Sequence, residues 1–226
     1  MSILFITGID TGIGKTYITG LIARSFLKSN RSVITQKLAQ TGCDGISEDI
    51  ITHRKIMGID LVEEDRDFTT CNYVFKFPAS PHLSAELENR SIDVNKIIES
   101  TEKLAVKYDN VLIEGVGGLF VPLTPDYLSI DFIKDQKYPV ILVTSSRLGS
   151  INHTLMSIEA LNLRNIQIKS IVYIRLKNED TIIGNDTLKV IKNYLSTNRL
   201  DHTQILEVPE FDLNSIPDID FNGIFY

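Results

Sequence analysis

The run Gly8-Ile9-Asp10-Thr11-Gly12-Ile13-Gly14-Lys15-Thr16 concentrates the chemistry of this sequence. Glycines let main-chain N–H groups turn inward around an anion, and a helix starting at the end of the run adds the positive end of its dipole. Lys15 is placed to reach the β- and γ-oxygens of a nucleoside triphosphate, and the Thr16 hydroxyl to ligate Mg²⁺. Gly8 and Gly14 enclose five residues where the general phosphate-loop pattern has four, and Ile9 stands where the strict pattern has glycine. An ordinary glycine turn ahead of a lysine is the competing reading. The flanking strand and helix weigh against it.

A phosphate loop needs acidic groups to complete the Mg²⁺ shell, and in such folds ligands sit at the carboxyl ends of parallel strands. Glu114 ends an apolar run and is followed by Gly115-Val116-Gly117-Gly118. It reads as a metal-side carboxylate, with a turn-capping role as the alternative. Asp49 is a second candidate, although spacing alone favours a helix-surface aspartate. Lys37 ends the second strand at the same edge, where a lone lysine is more often simply solvated. Leu148-Gly149-Ser150-Ile151-Asn152-His153 reads either as a helix start whose amides could hold an anion or as a plain strand-to-helix turn. His53, His82, His153 and His202 are scattered without metal-ligand spacing, so none is assigned to zinc.

The elements that must position these groups alternate along the chain. Residues 3–7 are a short apolar strand, and residues 15–28 carry apolar side chains at helical spacing. Residues 31–37 read as a second strand, 47–57 as a short helix, and 58–79 mostly as loop. Asp93 can cap a helix over 94–107. Residues 110–113, 139–144, 166–174 and 204–208 read as further strands, and 151–161 and 187–196 as helices. Nearly all-apolar strands alternating with amphipathic helices imply an α/β fold, a parallel sheet covered on both faces. With no repeat, low-complexity tract or linker, one domain over 1–226 is the simplest organisation.

The 226 residues are 43% hydrophobic and 23% charged, the balance of a soluble globular protein. A net charge of −6 gives no basic field for nucleic acid, so an anionic substrate needs a local cluster of donors. Cys43 and Cys71 are too few for a disulfide scaffold and are expected to be free thiols in a reducing compartment. The N-terminal segment has no basic region ahead of its apolar residues and is not read as a signal peptide. No stretch reaches the roughly 20 apolar residues of a membrane span. A cytoplasmic protein is expected.

The string Thr7-Gly8-Ile9-Asp10-Thr11-Gly12-Ile13-Gly14-Lys15-Thr16 resembles the phosphate loop of the dethiobiotin synthases, five-residue spacing included. The similarity continues through Lys37, Ser80-Pro81-His82, Glu114-Gly115-Val116-Gly117-Gly118 and Leu148 to His153, in family order over nearly the whole chain. The resemblance implies a P-loop NTPase fold and an ATP- and Mg²⁺-dependent ligase. Its reaction converts 7,8-diaminononanoate and CO₂ to dethiobiotin in biotin biosynthesis, through a carbamate and a carbamic-phosphoric anhydride. It makes Lys37 the catalytic lysine beside Lys15 and Thr11. Thr16, Asp49 and Glu114 become the metal side, and Asp49 rises to a site residue. Gly12, Ile13, Gly14, Tyr17, Pro209, Glu210 and Phe211 join the nucleotide site. Thr11 and Thr41 would touch the carbamate or diamine, and Gly115, Val116 and Gly117 would line the diamine and the nucleotide phosphate. The family also implies a homodimer in which Leu148, Gly149, Ser150, Ile151 and Asn152 of one subunit hold the substrate carboxylate in the other's site.

Three positions depart from the family pattern. Gly12 stands where Glu is frequent, Thr41 replaces Ser with its hydroxyl kept, and Ile174 falls where relatives carry the Asn that reads adenine. Arg175 beside it does not replace that Asn. Two rivals remain: a sister ATP-dependent cyclo-ligase acting on another diamine or acid, and a ParA/MinD-like ATPase switch. The switch proteins carry an extra lysine early in the loop, where this chain has Asp10, and the chain has neither a basic tail nor an amphipathic membrane helix.

Overall fold

The computed structural model describes residues 2–221 and Gly223. Its first half runs β1 (Ser2–Gly8), α1 (Lys15–Lys28), β2 (Val33–Lys37), β3 (Gln40–Thr41), α2 (Glu48–Met57), α3 (Glu63–Arg66), β4 (Val74–Phe75), α4 (Pro81–Leu87), α5 (Val94–Lys107) and β5 (Asn110–Glu114). The second half is β6 (Pro122–Thr124), β7 (Tyr127–Leu128), α6 (Ser129–Gln136), β8 (Val140–Ser145), α7 (Ser150–Asn162), β9 (Ile168–Arg175), α8 (Thr181–Thr197) and β10 (Gln204–Pro209).

The main sheet has the order β10-β9-β8-β1-β5-β2, and each pairing within it is parallel. β5 and β8 are buried at every position, as strands covered on both faces must be. β1 lies between them, so the loop that leaves Gly8 opens at the middle of the sheet's carboxyl edge. Phe5, Ile6, Leu112, Ile141 and Leu142 fill the centre with no exposed surface, each stabilising the fold by about 1.5–3 kcal/mol when fully buried.

Local signals place the flanking helices. Ser47 Oγ accepts from the Ile50 amide at the start of α2, and the left-handed Gly58 (φ 75°) ends it. Asp93 accepts from the Asn95 amide and starts α5, as expected. Residues 58–79 differ from the loop expected there. They contain α3, and β4 pairs in parallel with β3. The expected helix at 187–196 begins six residues earlier, at Thr181, because Asp180 caps it by accepting from the Ile182 amide. The second strand is shorter than the expected 31–37 and begins at Val33. α4, α6 and the antiparallel pair β6–β7 had no counterpart in the expected elements. Among the described residues, no helix is long and apolar enough to cross a membrane.

Candidate active site

The loop between β1 and α1 takes its shape from left-handed backbone at Gly12 (φ 72°) and Gly14 (φ 102°), a region that side chains resist. Gly14 is also the N-cap of α1 and offers no side chain to the helix's first amides, which suits them to phosphate oxygens. Gly8 is needed for space instead, since a Cβ there would lie 2.5 Å from Ile13 Cγ2. The five-residue spacing therefore places its turning glycines late in the loop and leaves Ile9 packed into the core.

Lys15 is buried, and its ammonium donates to the Asp10 carbonyl at 2.9 Å. Burial, with Lys37 nearby as a second cation, lowers its pKa to about 8. Lys37 is 5% exposed, which removes the reading of a solvated strand-end lysine. Its Nζ lies 2.5 Å from Asp49 Oδ2 and 2.7 Å from Glu114 Oε1, and donates to the Gly115 carbonyl at 3.1 Å. Burial alone would pull this ammonium down, but Glu114 and Asp49 override it and hold Lys37 above the ordinary lysine range. Burial likewise pushes Glu114 up, and Lys37 and His53 overcome that push and keep it well below the usual carboxylate range. Glu114 lines the phosphate-loop cavity together with Lys37 and Thr16.

Thr16 Oγ1 is 3.0 Å from both Asp49 Oδ1 and Glu114 Oε1. Three hard oxygens, one hydroxyl and two from carboxylates, therefore converge beside the phosphate loop. That donor set fits Mg²⁺, which takes one or two carboxylates and fills the rest of its octahedron with phosphate oxygens and water. The described residues contain no group of three or more His, Cys, Asp and Glu that could hold a metal ion.

These groups line a cavity of about 290 Å³ with Thr11, Gly12, Gly14, Gln40, Thr41, Val116 and Gly117. Gly115 is wedged against the core, where a Cβ would lie 2.8 Å from Phe5 Cε1. Ile13 is buried behind the loop. Tyr17 and Phe211 meet edge to face with centroids 5.2 Å apart, which brings the end of β10 to the phosphate-loop helix. Glu210 lines a neighbouring cavity with Leu176, Asn178, Glu179, Asp180 and Ile183, while Pro209 closes β10.

Leu148, Gly149, Ser150, Ile151 and Asn152 do not line the phosphate-loop cavity of their own chain. Gly149 (φ 92°) is the N-cap of α7, and Leu148 is 77% exposed. The turn before them is tied to the loop through Arg147, whose guanidinium sits 2.9 Å from Asp10 Oδ2.

Two residues were missed from the sequence. Gln40 Oε1 accepts from Ser47 Oγ at 2.7 Å and from the Asp49 amide at 3.3 Å, fixing the start of α2. His53 lies 2.7 Å from Glu114 Oε2 and is fully buried. Its position one helical turn after Asp49 was the available signal.

Residues 2–210 match a family model described as an AAA domain (AAA_26). The chain is 54% identical over 213 residues to the ATP-dependent dethiobiotin synthetase BioD of Chlorobaculum tepidum, covering 94% of this chain and 87% of that one. It is 50% identical over 193 residues to ATP-dependent dethiobiotin synthetase BioD 2 of Pasteurella multocida, covering 85% and 91%. Among solved structures it is similar to the MinC:MinD cell division complex of Aquifex aeolicus, with TM-score 0.56, 15% identity and coverage of 93% and 82%. A pNOB8 ParA bound to nonspecific DNA gives TM-score 0.55, 15% identity and coverage of 90% and 79%. At these identities the structural likenesses establish the P-loop fold alone.

Proposed function

The chain belongs to the ATP-dependent dethiobiotin synthetase family, ligases of biotin biosynthesis, and on that premise we propose that it closes the ureido ring of dethiobiotin from 7,8-diaminononanoate, CO₂ and ATP. One observation supports this reading above the others: a buried lysine, two carboxylates and a phosphate-loop hydroxyl converge within about 3 Å at the mouth of a glycine loop.

One amine of the substrate captures CO₂ as a carbamate and releases a proton. A carbamate oxygen attacks the γ-phosphorus and ADP leaves, giving a carbamic-phosphoric anhydride. The second amine attacks the carbamoyl carbon and loses a proton, the ring closes, and phosphate departs with its bonding pair. Carbamate and γ-phosphate are both anions, so the attack needs fixed positive charge and donors already in place. Lys15 and the first-turn amides of α1 hold the triphosphate. Lys37, kept protonated by its two carboxylates, faces the charge that develops between carbamate and phosphate. Thr11 and Thr41 supply hydroxyls to the carbamate and diamine, and Gly115, Val116 and Gly117 let the substrate approach the main chain. Thr16, Asp49 and Glu114 would hold Mg²⁺, which neutralises phosphate charge when bound. Tyr17, Pro209, Glu210 and Phe211 border the nucleoside.

The reading includes a single cytoplasmic domain acting as a homodimer, with residues 148–152 of one subunit completing the partner's site. Purified protein with the diamine, bicarbonate, ATP and Mg²⁺ should yield the cyclic urea by mass spectrometry, with one ADP per ring. Turnover on a different diamine or acid, with none on this one, would move the assignment to a sister cyclo-ligase.

A further inference from the structure

We infer that His53 is a positioning residue that locks the Glu114 carboxylate in the orientation its metal-side oxygen requires, an inference that rests on the proposed role of Glu114. Glu114 uses its two oxygens for different tasks. Oε1 faces the site, 2.7 Å from Lys37 Nζ and 3.0 Å from Thr16 Oγ1. Oε2 points away from it, 2.7 Å from His53 Nε2. The carboxylate is 1% exposed, so water does not serve Oε2 from bulk. An anionic oxygen left without a donor there would be costly. Without His53 the carboxylate could relieve that cost by rotating to share both oxygens with Lys37, which would turn Oε1 off the Thr16–Asp49 axis.

His53 is itself held. Its Nδ1 lies 3.0 Å from Thr35 Oγ1, and that hydroxyl accepts from Arg54 at 2.7 Å. With its lone pairs engaged by Arg54, Thr35 has its proton free for Nδ1. A carboxylate oxygen accepts, so Nε2 is the ring nitrogen that donates to Glu114 Oε2. Arg54 is clamped in turn by Asp65, with Nε to Oδ2 and a terminal nitrogen to Oδ1 both at 2.8 Å. A buried line of side chains therefore runs Asp65–Arg54–Thr35–His53–Glu114 and ends at the phosphate loop. His53 and Asp49 sit one turn apart on α2, so a single helix brings one metal-side carboxylate and the orienting group for the other. The partner of a ligating side chain commonly sets ligand geometry in this way.

The test compares His53→Leu, which keeps volume and removes both ring nitrogens, with His53→Gln, whose amide can still donate to Oε2. Binding of Mn²⁺ to the protein with a non-hydrolysable ATP analogue is read from the electron paramagnetic resonance of free Mn²⁺, with Glu114→Gln as reference. We expect His53→Leu to weaken Mn²⁺ binding by about 10–100-fold, while nucleotide affinity in EDTA and the diamine KM stay at parental values. His53→Gln should recover most of the loss, and it carries the test alone if His53→Leu does not fold. Parental Mn²⁺ affinity in His53→Leu, beside weakened binding in Glu114→Gln, overturns the inference. So does a Gln variant as impaired as the reference, or a loss spread equally over metal, nucleotide and diamine. Parental Mn²⁺ affinity in Glu114→Gln itself would instead overturn the reading of Glu114 as a metal-side carboxylate.

Discussion

Lys37 and Glu114 face each other twice, as register partners on adjacent parallel strands and as an ion pair of 2.7 Å between Nζ and Oε1. The first relationship produces the second. Both side chains leave the carboxyl edge of the sheet at the same level, beside the strand that launches the phosphate loop. Lys37→Ala should leave the loop and its amides intact, so nucleotide still binds. Phosphoryl transfer should fall by about 10²–10³-fold or more, the scale for losing one fixed charge-stabilising donor. Titration calorimetry with ATP and single-turnover ADP formation separate the two effects. Lost ATP binding with a preserved turnover number would assign Lys37 a binding role instead.

Lys15→Ala should abolish nucleotide-dependent turnover altogether. Lys15 is the cation of the loop itself, held against the Asp10 carbonyl at 2.9 Å. No neighbouring lysine can take its place, because Lys37 is fastened to two carboxylates. Near-normal ring formation by this variant would sink the phosphate-loop assignment.

The phosphate loop was legible in the sequence because its parts are consecutive, and β1, α1, α5 and β5 were legible because an apolar run or a capping Asp sits at their ends. What pairs across the sheet was not. Lys37 and Glu114 are 77 residues apart, and only the strand order makes them neighbours. From composition a strand-end lysine looks solvated, and the two carboxylates that bury it come from separate elements. His53 was passed over for a related reason: histidines were weighed as metal ligands, and this one serves a carboxylate. α6 and the β6–β7 pair are short enough that local spacing gives no period to count.

Asp65→Ala tests the far end of the buried line. It removes the partner that clamps Arg54, which is 2% exposed, and also deprives the Val62 amide of its side-chain acceptor and Thr70 Oγ1 of the nearer of its two acceptors. Breaking a buried ion pair from one side leaves an uncompensated charge and should cost about 3–5 kcal/mol of stability. Urea unfolding gives the value through the midpoint and slope. A loss below about 1 kcal/mol, the scale of an exposed pair, would mean that Arg54 is rescued by solvent.

The site is proposed to be shared between subunits, since Leu148 to Asn152 stay outside their own chain's cavity and α7 begins at an N-cap with no side chain of its own. Helix-start amides with the Asn152 side chain suit a substrate carboxylate. Mixing inactive Lys37→Ala protein with inactive Asn152→Ala protein should restore part of the parental rate, because one site of the mixed dimer receives both intact halves. Absence of recovery, with mixing verified by mass spectrometry, counts against a site in trans.

Base selectivity is the remaining prediction. Phosphate contacts from Gly12 to Thr16 are the same for every nucleoside triphosphate, so discrimination needs another group. Ile174 stands near the end of β9, where the family resemblance leads one to expect Asn, and packs so closely on the loop that a Cβ at Gly14 would lie 2.6 Å from its Cδ1. Ile174 can neither donate nor accept. Arg175 is turned aside, its guanidinium 2.7 Å from Glu207 and its carbon 5.2 Å from the centre of the Tyr173 ring. The Glu210 carboxylate is committed to the Lys177 amide at 2.8 Å. An unmatched polar edge costs about 1–3 kcal/mol, which lowers discrimination by roughly ten- to a hundredfold. The protein should therefore use CTP, GTP or UTP with kcat/KM closer to that of ATP than its Ile174→Asn variant does. The measurement is kcat/KM for all four nucleotides with the diamine saturating, in both proteins. A parental preference for ATP above roughly a thousandfold would mean that main-chain groups near Pro209 and Phe211 read the adenine edge on their own, and that Ile174 costs the enzyme no selectivity.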